Sequence, residues 1–125
     1  MATAAVIGCA GLGSGVAAAT VEYETVFKKF EVEVESGGGD VKGKLDSRKG
    51  KCLKKRNVTA YRKYKGDKHK LGSDETNKKG KWKLNFGTLK VGKYYARVEQ
   101  KDVGPNSSGE DQVCGSAKSG KVDVS

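Results

Sequence analysis

Residue types that do covalent chemistry are scarce in this chain of 125 residues. Its one histidine, His69, lies between Lys68 and Lys70, where neighbouring positive charge disfavours protonation of the imidazole. No serine or cysteine stands at a spacing that pairs with it, so His69 reads as an exposed strand residue rather than a general base. The cysteines Cys9, Cys52 and Cys114 with one distant histidine do not make a four-ligand zinc set. Asp74, Glu75 and Asn77 cluster in a short stretch. They lack the D-x-[DN]-x-[DN]-G spacing and distant bidentate Glu of a calcium loop, and read as a solvated turn. Gly11-Leu12-Gly13-Ser14-Gly15 lacks the preceding strand and following lysine of a phosphate loop. With no nucleophile–base pair, no metal set and no cofactor cradle, the expectation is a non-enzymatic protein.

Noncovalent chemistry is better supplied. The net charge is +10, and it is unevenly placed. Residues 1–19 carry no charged side chain, residues 20–40 are net −4, residues 41–101 net +16 and residues 102–125 net −2. Such a middle segment attracts polyanions with an affinity that falls with salt. The same lysines, alternating outward along strands, would also keep the domain soluble. Among them stand Tyr61, Tyr64 and Tyr95. If Trp82 and Tyr94 face a core, Tyr95 faces out, amid Lys63, Lys93 and Arg97. Outward aromatics beside cations stack sugars or bases while the cations hold phosphate or uronate groups. Ordinary cross-strand pairing of tyrosines is the alternative for Tyr61 and Tyr95.

The segments that must position these residues follow from pattern. Ala2–Ala19 is a run of small and apolar residues ending Val16-Ala17-Ala18-Ala19-Thr20. Ala17 and Ala19 fit the small-x-small cleavage rule of an export signal, although no Lys or Arg follows Met1. Val6-Ile7-Gly8-Cys9 also has the form of a lipobox, in which Cys9 would be acylated. Removal of residues 1–19 would leave Cys52 and Cys114, an even pair that in a secreted domain is the expected precursor of a disulfide. Two unpaired buried thiols are the alternative. Asn57-Val58-Thr59 and Asn106-Ser107-Ser108 match glycosylation sequons, which carry no meaning in a bacterial protein.

From Thr20 onward the period is two. Residues 20–35 alternate Val21, Tyr23 and Thr25 with Glu22 and Glu24, then Phe30, Val32 and Val34 with Glu31, Glu33 and Glu35. The phase shift between the two runs predicts a bend or bulge. Ser36-Gly37-Gly38-Gly39-Asp40 reads as a flexible break, closing an acidic N-terminal strand and linker over 20–39 before a domain over 40–125. Further strands are expected at 41–45, 58–64, 69–72, 81–86, 93–99 and in the last residues, with 102–112 a polar loop. In 81–86, Trp82, Leu84 and Phe86 face opposite Lys81, Lys83 and Asn85; in 93–99, Tyr94, Ala96 and Val98 face opposite Tyr95, Arg97 and Glu99. No segment carries a helical apolar stripe. Short strands at this spacing with glycine turns predict an all-β antiparallel sandwich of about 7–8 strands.

Gly43, Asn57-Val58-Thr59-Ala60-Tyr61, the stretch Gly72 to Leu84 with Gly80-Lys81-Trp82, and Gly92-Lys93-Tyr94-Tyr95 follow a family order. Over residues 41–124 the chain resembles carboxypeptidase-regulatory-like and transthyretin-like (Ig-like) β-sandwich domains, as in small basic secreted actinobacterial proteins. The resemblance implies glycines with positive φ at Gly80 and Gly92, and no attached activity. One transthyretin-like branch is hydrolytic and uses several histidines; this chain has only His69 and ends Val122-Asp123-Val124-Ser125, so that activity is not implied. Two functions are therefore expected. One is a secreted or cell-surface structural, adhesive or assembly module, with self-association through strand 20–35 or with another surface protein. The other is a cationic binder of anionic polymers: cell-wall polyanion, polysaccharide or nucleic acid.

Overall fold

The computed structural model describes residues 20–35 and 38–125. The apolar segment 1–19, with Cys9 and the glycine run at 11–15, and residues 36 and 37 of the glycine break lie outside the described residues.

Eleven strands run along the described chain: β1 (Thr20–Tyr23), β2 (Thr25–Glu35), β3 (Gly38–Ser47), β4 (Asn57–Tyr64), β5 (Asp67–Glu75), β6 (Lys81–Phe86), β7 (Gly92–Val98), β8 (Lys101–Pro105), β9 (Asp111–Cys114), β10 (Ala117–Lys118) and β11 (Val122–Val124). They form three sheets, ordered β2-β3-β6, β10-β7-β4-β5 with β11 also on β7, and β1-β9-β8. All pairs are antiparallel except β1 with β9. The first two sheets pack face to face as an all-β sandwich. Val41 and Leu45 of β3 and Trp82 of β6 meet Val58 and Ala60 of β4 and Tyr94, Ala96 and Val98 of β7 in one buried cluster.

Period two explains which side chains reach it. Alternate residues of a strand point to opposite faces, and in β3 Val41, Gly43 and Leu45 are buried while Asp40, Lys42 and Lys44 between them are not. Phe30 stacks on Trp82 with centroids 6.0 Å apart, and Phe27 meets the same ring edge-on at 6.3 Å. The phase shift expected in 20–35 is real twice over. The acidic run breaks into β1 and β2 at Glu24, and β2 carries a bulge between Phe27 and Lys29. Gly80 takes φ +82°, and a Cβ there would stand 2.8 Å from the Leu45 carbonyl oxygen, so glycine is required where the chain turns into β6. Gly92 likewise takes φ +146° against the Lys63 carbonyl.

The two packed sheets hold eight strands, as expected of the sandwich, and β1, β8 and β9 add a third small sheet from short segments with little apolar signal. Two expectations are corrected. The 102–112 stretch is a loop only over 106–110; its two ends belong to β8 and β9, which pair antiparallel with an irregularity between Asp102 and Gly104. Residues 38–40 are not a break, since Gly38, Gly39 and Asp40 pair with Glu35, Val34 and Glu33. Glycine costs strand entropy, but the tertiary ladder overrides that local preference.

Cys52 and Cys114 form a disulfide, 62 residues apart in sequence, both fully buried. It ties the 3-10 turn Gly50–Cys52 to the end of β9 and so fastens the small sheet to the sandwich.

Candidate anion-binding face

Tyr61, Lys63, Lys93, Tyr95 and Arg97 lie on one face. In the β4–β7 ladder Tyr61 pairs with Tyr95 and Lys63 with Lys93, while Arg97 stands opposite Thr59. These odd-numbered positions point away from Val58, Ala60, Tyr94, Ala96 and Val98, which fill the core. Neighbouring strands extend the row. β5 places Lys70 opposite Tyr61 and Lys68 opposite Lys63, and β10 places Lys118 opposite Arg97.

Tyr95 corrects one expectation. Its ring points away from the core but is only 4% exposed. Tyr61 stacks on it at 5.2 Å and 17° between planes, and Lys118 Nζ and Lys121 Nζ lie 4.8 and 5.9 Å from its centroid. Long lysine stems lie down on apolar surface and keep their ammonium groups in water, so Tyr95 is a covered base plate rather than an open stacking platform. Tyr61, half-buried, is the outer ring of the pair, and Lys68 Nζ sits 5.1 Å from its centroid. Cation–π attraction holds these ammonium groups over the two rings. Burial pushes the Tyr95 hydroxyl above the ordinary phenol value, Tyr61 adds to this, and Arg97 opposes it. Tyr64 belongs elsewhere: it points opposite to Tyr61, beside the Arg62 guanidinium at 4.9 Å and Lys65 Nζ at 5.3 Å.

The other sheet also carries lysines. An open groove of about 940 Å³ is lined by Lys28, Lys29, Lys42, Lys44, Lys81 and Lys83 together with Glu31, Asp74 and Glu75. There the charges are interleaved. The ion pairs among the described residues, Lys29–Glu31 at 3.8 Å, Lys42–Glu33 at 3.0 Å and Lys83–Asp40 at 3.5 Å, all lie on the β2-β3-β6 sheet. The β5-β4-β7-β10 face has none. Acids stand on it at two register positions, Asp123 across from Lys93 and Glu75 across from Asn57.

Several residues have structural roles. Asp74 Oδ2 accepts the Lys83 N–H at 2.8 Å, and Asn77 Oδ1 accepts the N–H groups of Lys79 and Lys81 at 2.8 and 3.1 Å. These side chains close the turn before β6 and cap that strand's outer edge. His69 is exposed on β5, opposite Arg62. Among the described residues no group of three or more His, Cys, Asp or Glu is placed to hold a metal ion.

Lys68, Lys70, Lys118 and Lys121 were not singled out from sequence, although alternation about His69 marks the first two as sharing a face. Nothing in the sequence marks Arg56. It closes a lysine-rich loop in the sequence yet is 1% exposed. No protein-family model matches this chain, and no curated protein matches it in sequence.

Proposed function

We propose that this protein is a non-enzymatic β-sandwich module, secreted or at the cell surface, that acts as an adhesive element by holding an anionic polymer on the outer face of β5, β4, β7 and β10. One observation carries it: the cations of that face cluster around a stacked tyrosine pair with no ion pair among the described residues, whereas on the opposite sheet Lys29, Lys42 and Lys83 are each paired with an acid. Unpaired lysines in a row release counterions when they meet phosphate, sulfate or carboxylate groups, which is where affinity for a polyanion originates. Lys63, Lys93 and Arg97 would contact the anionic groups. The exposed edge of Tyr61 would pack against a sugar or base. Tyr95 would act from beneath, keeping Tyr61, Lys118 and Lys121 in place.

The resemblance to transthyretin-like sandwiches of secreted proteins favours a role outside the cell. A Cys52–Cys114 disulfide is in keeping with this, because such bonds persist in oxidising compartments.

Titration of the disulfide-bonded protein with heparin, teichoic acid and DNA at rising salt tests the proposal. The expected result is tight binding of at least one polymer, log K falling linearly with log salt, and a clear loss on Tyr61→Ala. Weak binding of all three alike, gone by physiological ionic strength, would overturn it.

A further inference from the structure

An unpaired strand edge presents a row of N–H and C=O groups that will add another strand unless the edge is blunted. The edges of this sandwich differ in that respect. β10 is only two residues long. β6 is closed over part of its outer side, where Asn77 exchanges hydrogen bonds with the Lys81 backbone and Asp74 accepts the Lys83 N–H. β2, with 11 residues, and β5, with nine, are the long edges that end their sheets. β2 packs across the core near β10 and β11, and β5 lies beside β6. The two edges are thus on opposite sides of the molecule and cannot pair within one copy.

Their charges are opposite. The outward positions of β2 carry Glu31, Glu33 and Glu35, alternating with Phe30 and Val32, which pack against the core, and with Val34, which is exposed. The outward positions of β5 carry Lys68 and Lys70, with Leu71 turned to the core. One antiparallel register matches the charged rows. It sets Glu31 opposite Lys70 and Glu33 opposite Lys68 on the outer side, and Phe30 opposite Leu71 and Val32 opposite His69 on the inner side. The present partners of the acids, Lys29 and Lys42, are exposed ion pairs that exchange readily.

We propose that copies of this protein assemble head to tail, β2 of one copy adding to β5 of the next in that register. The contact uses two different surfaces, so it is heterologous and leaves one β2 and one β5 edge open at the ends of every chain of copies. Backbone hydrogen bonds would supply much of the affinity, and the acidic and basic rows would select the register. Lys68 and Lys70 lie on the polymer-binding face, whereas Glu31 and Glu33 lie outside it, so E31K/E33K separates the two readings: it removes the assembly contact without touching a residue assigned to the polymer.

Sedimentation velocity of the full, disulfide-bonded chain at low salt and rising concentration tests it. The expected result is a mass average that climbs without a plateau and falls back as salt is added. E31K/E33K and K68E/K70E, each alone, should remain monomeric. An equimolar mixture of the two should associate again, because the basic β2 of one meets the acidic β5 of the other; that recovery also shows that both variants are folded. A monomer at every concentration, a closed dimer that saturates, association that survives E31K/E33K, or a mixture that stays monomeric would each overturn the proposal.

Discussion

Arg56 donates to four acceptors drawn from distant stretches of chain. Nη1 reaches Thr25 Oγ1 at 3.0 Å and the Cys52 carbonyl at 2.9 Å, and Nη2 reaches the carbonyls of Glu99 at 2.8 Å and Gly115 at 2.9 Å. Burial lowers its pKa from the usual guanidinium value, and no carboxylate faces it; four oxygen dipoles hold the charge instead. A truncated side chain would orphan those acceptors, each costing about 1–3 kcal/mol when buried. Arg56→Ala should therefore destabilise the protein by about 3 kcal/mol or more in chemical denaturation, and Arg56→Lys should recover only part of that. Nothing local in the sequence separates Arg56 from Lys54 and Lys55, because its partners are backbone oxygens that only the tertiary fold brings together. Tyr95 yields a second test. Its pKa is raised in the folded state by burial first, so the folded chain holds the phenol proton more tightly than the unfolded chain. That contribution is present in full below pH about 10 and is lost as pH rises through the tyrosine range. Denaturation midpoints should fall in that window. Tyr95→Phe should flatten the decline in part, since the Tyr94 hydroxyl is raised by burial as well.

Period-two alternation made β3, β6 and β7 legible, because each buries one face and wets the other. It failed at β8. Lys101-Asp102-Val103-Gly104-Pro105 carries one large apolar residue and an irregular ladder, and its strand character comes from pairing with β9 rather than from its own pattern. The disulfide is the staple for these weak elements. Closing a 62-residue separation contributes about 4 kcal/mol in the chain-entropy treatment. Cys52→Ala/Cys114→Ala should lose roughly that much, and hydrogen exchange should show β1, β8 and β9 opening before β4 and β7. Gly80→Ala forces a Cβ against the Leu45 carbonyl at a left-handed φ. It should cost about 1–3 kcal/mol, read as a lowered denaturation midpoint without a change in fold by circular dichroism.

Across the whole molecule the excess charge becomes an arrangement only after folding. Sequence alone located the basic segment and, through alternation, brought Tyr61, Lys63, Lys93, Tyr95 and Arg97 to one face. It could not add Lys68, Lys70, Lys118 and Lys121, which join through the β5 and β10 registers, nor show that Lys42 and Lys83 are answered by Glu33 and Asp40 on the other sheet. For the proposed polymer binding, placement rather than net charge is the variable to test. The most direct test compares two triple variants of equal net charge for retention on heparin as salt rises. K63Q/K93Q/R97Q empties the proposed face, and K54Q/K78Q/K79Q removes the same charge from exposed loops. Early elution of the first variant and near wild-type retention of the second are expected. Equal loss in both would mean that diffuse charge alone binds the polymer, and would contradict the proposal.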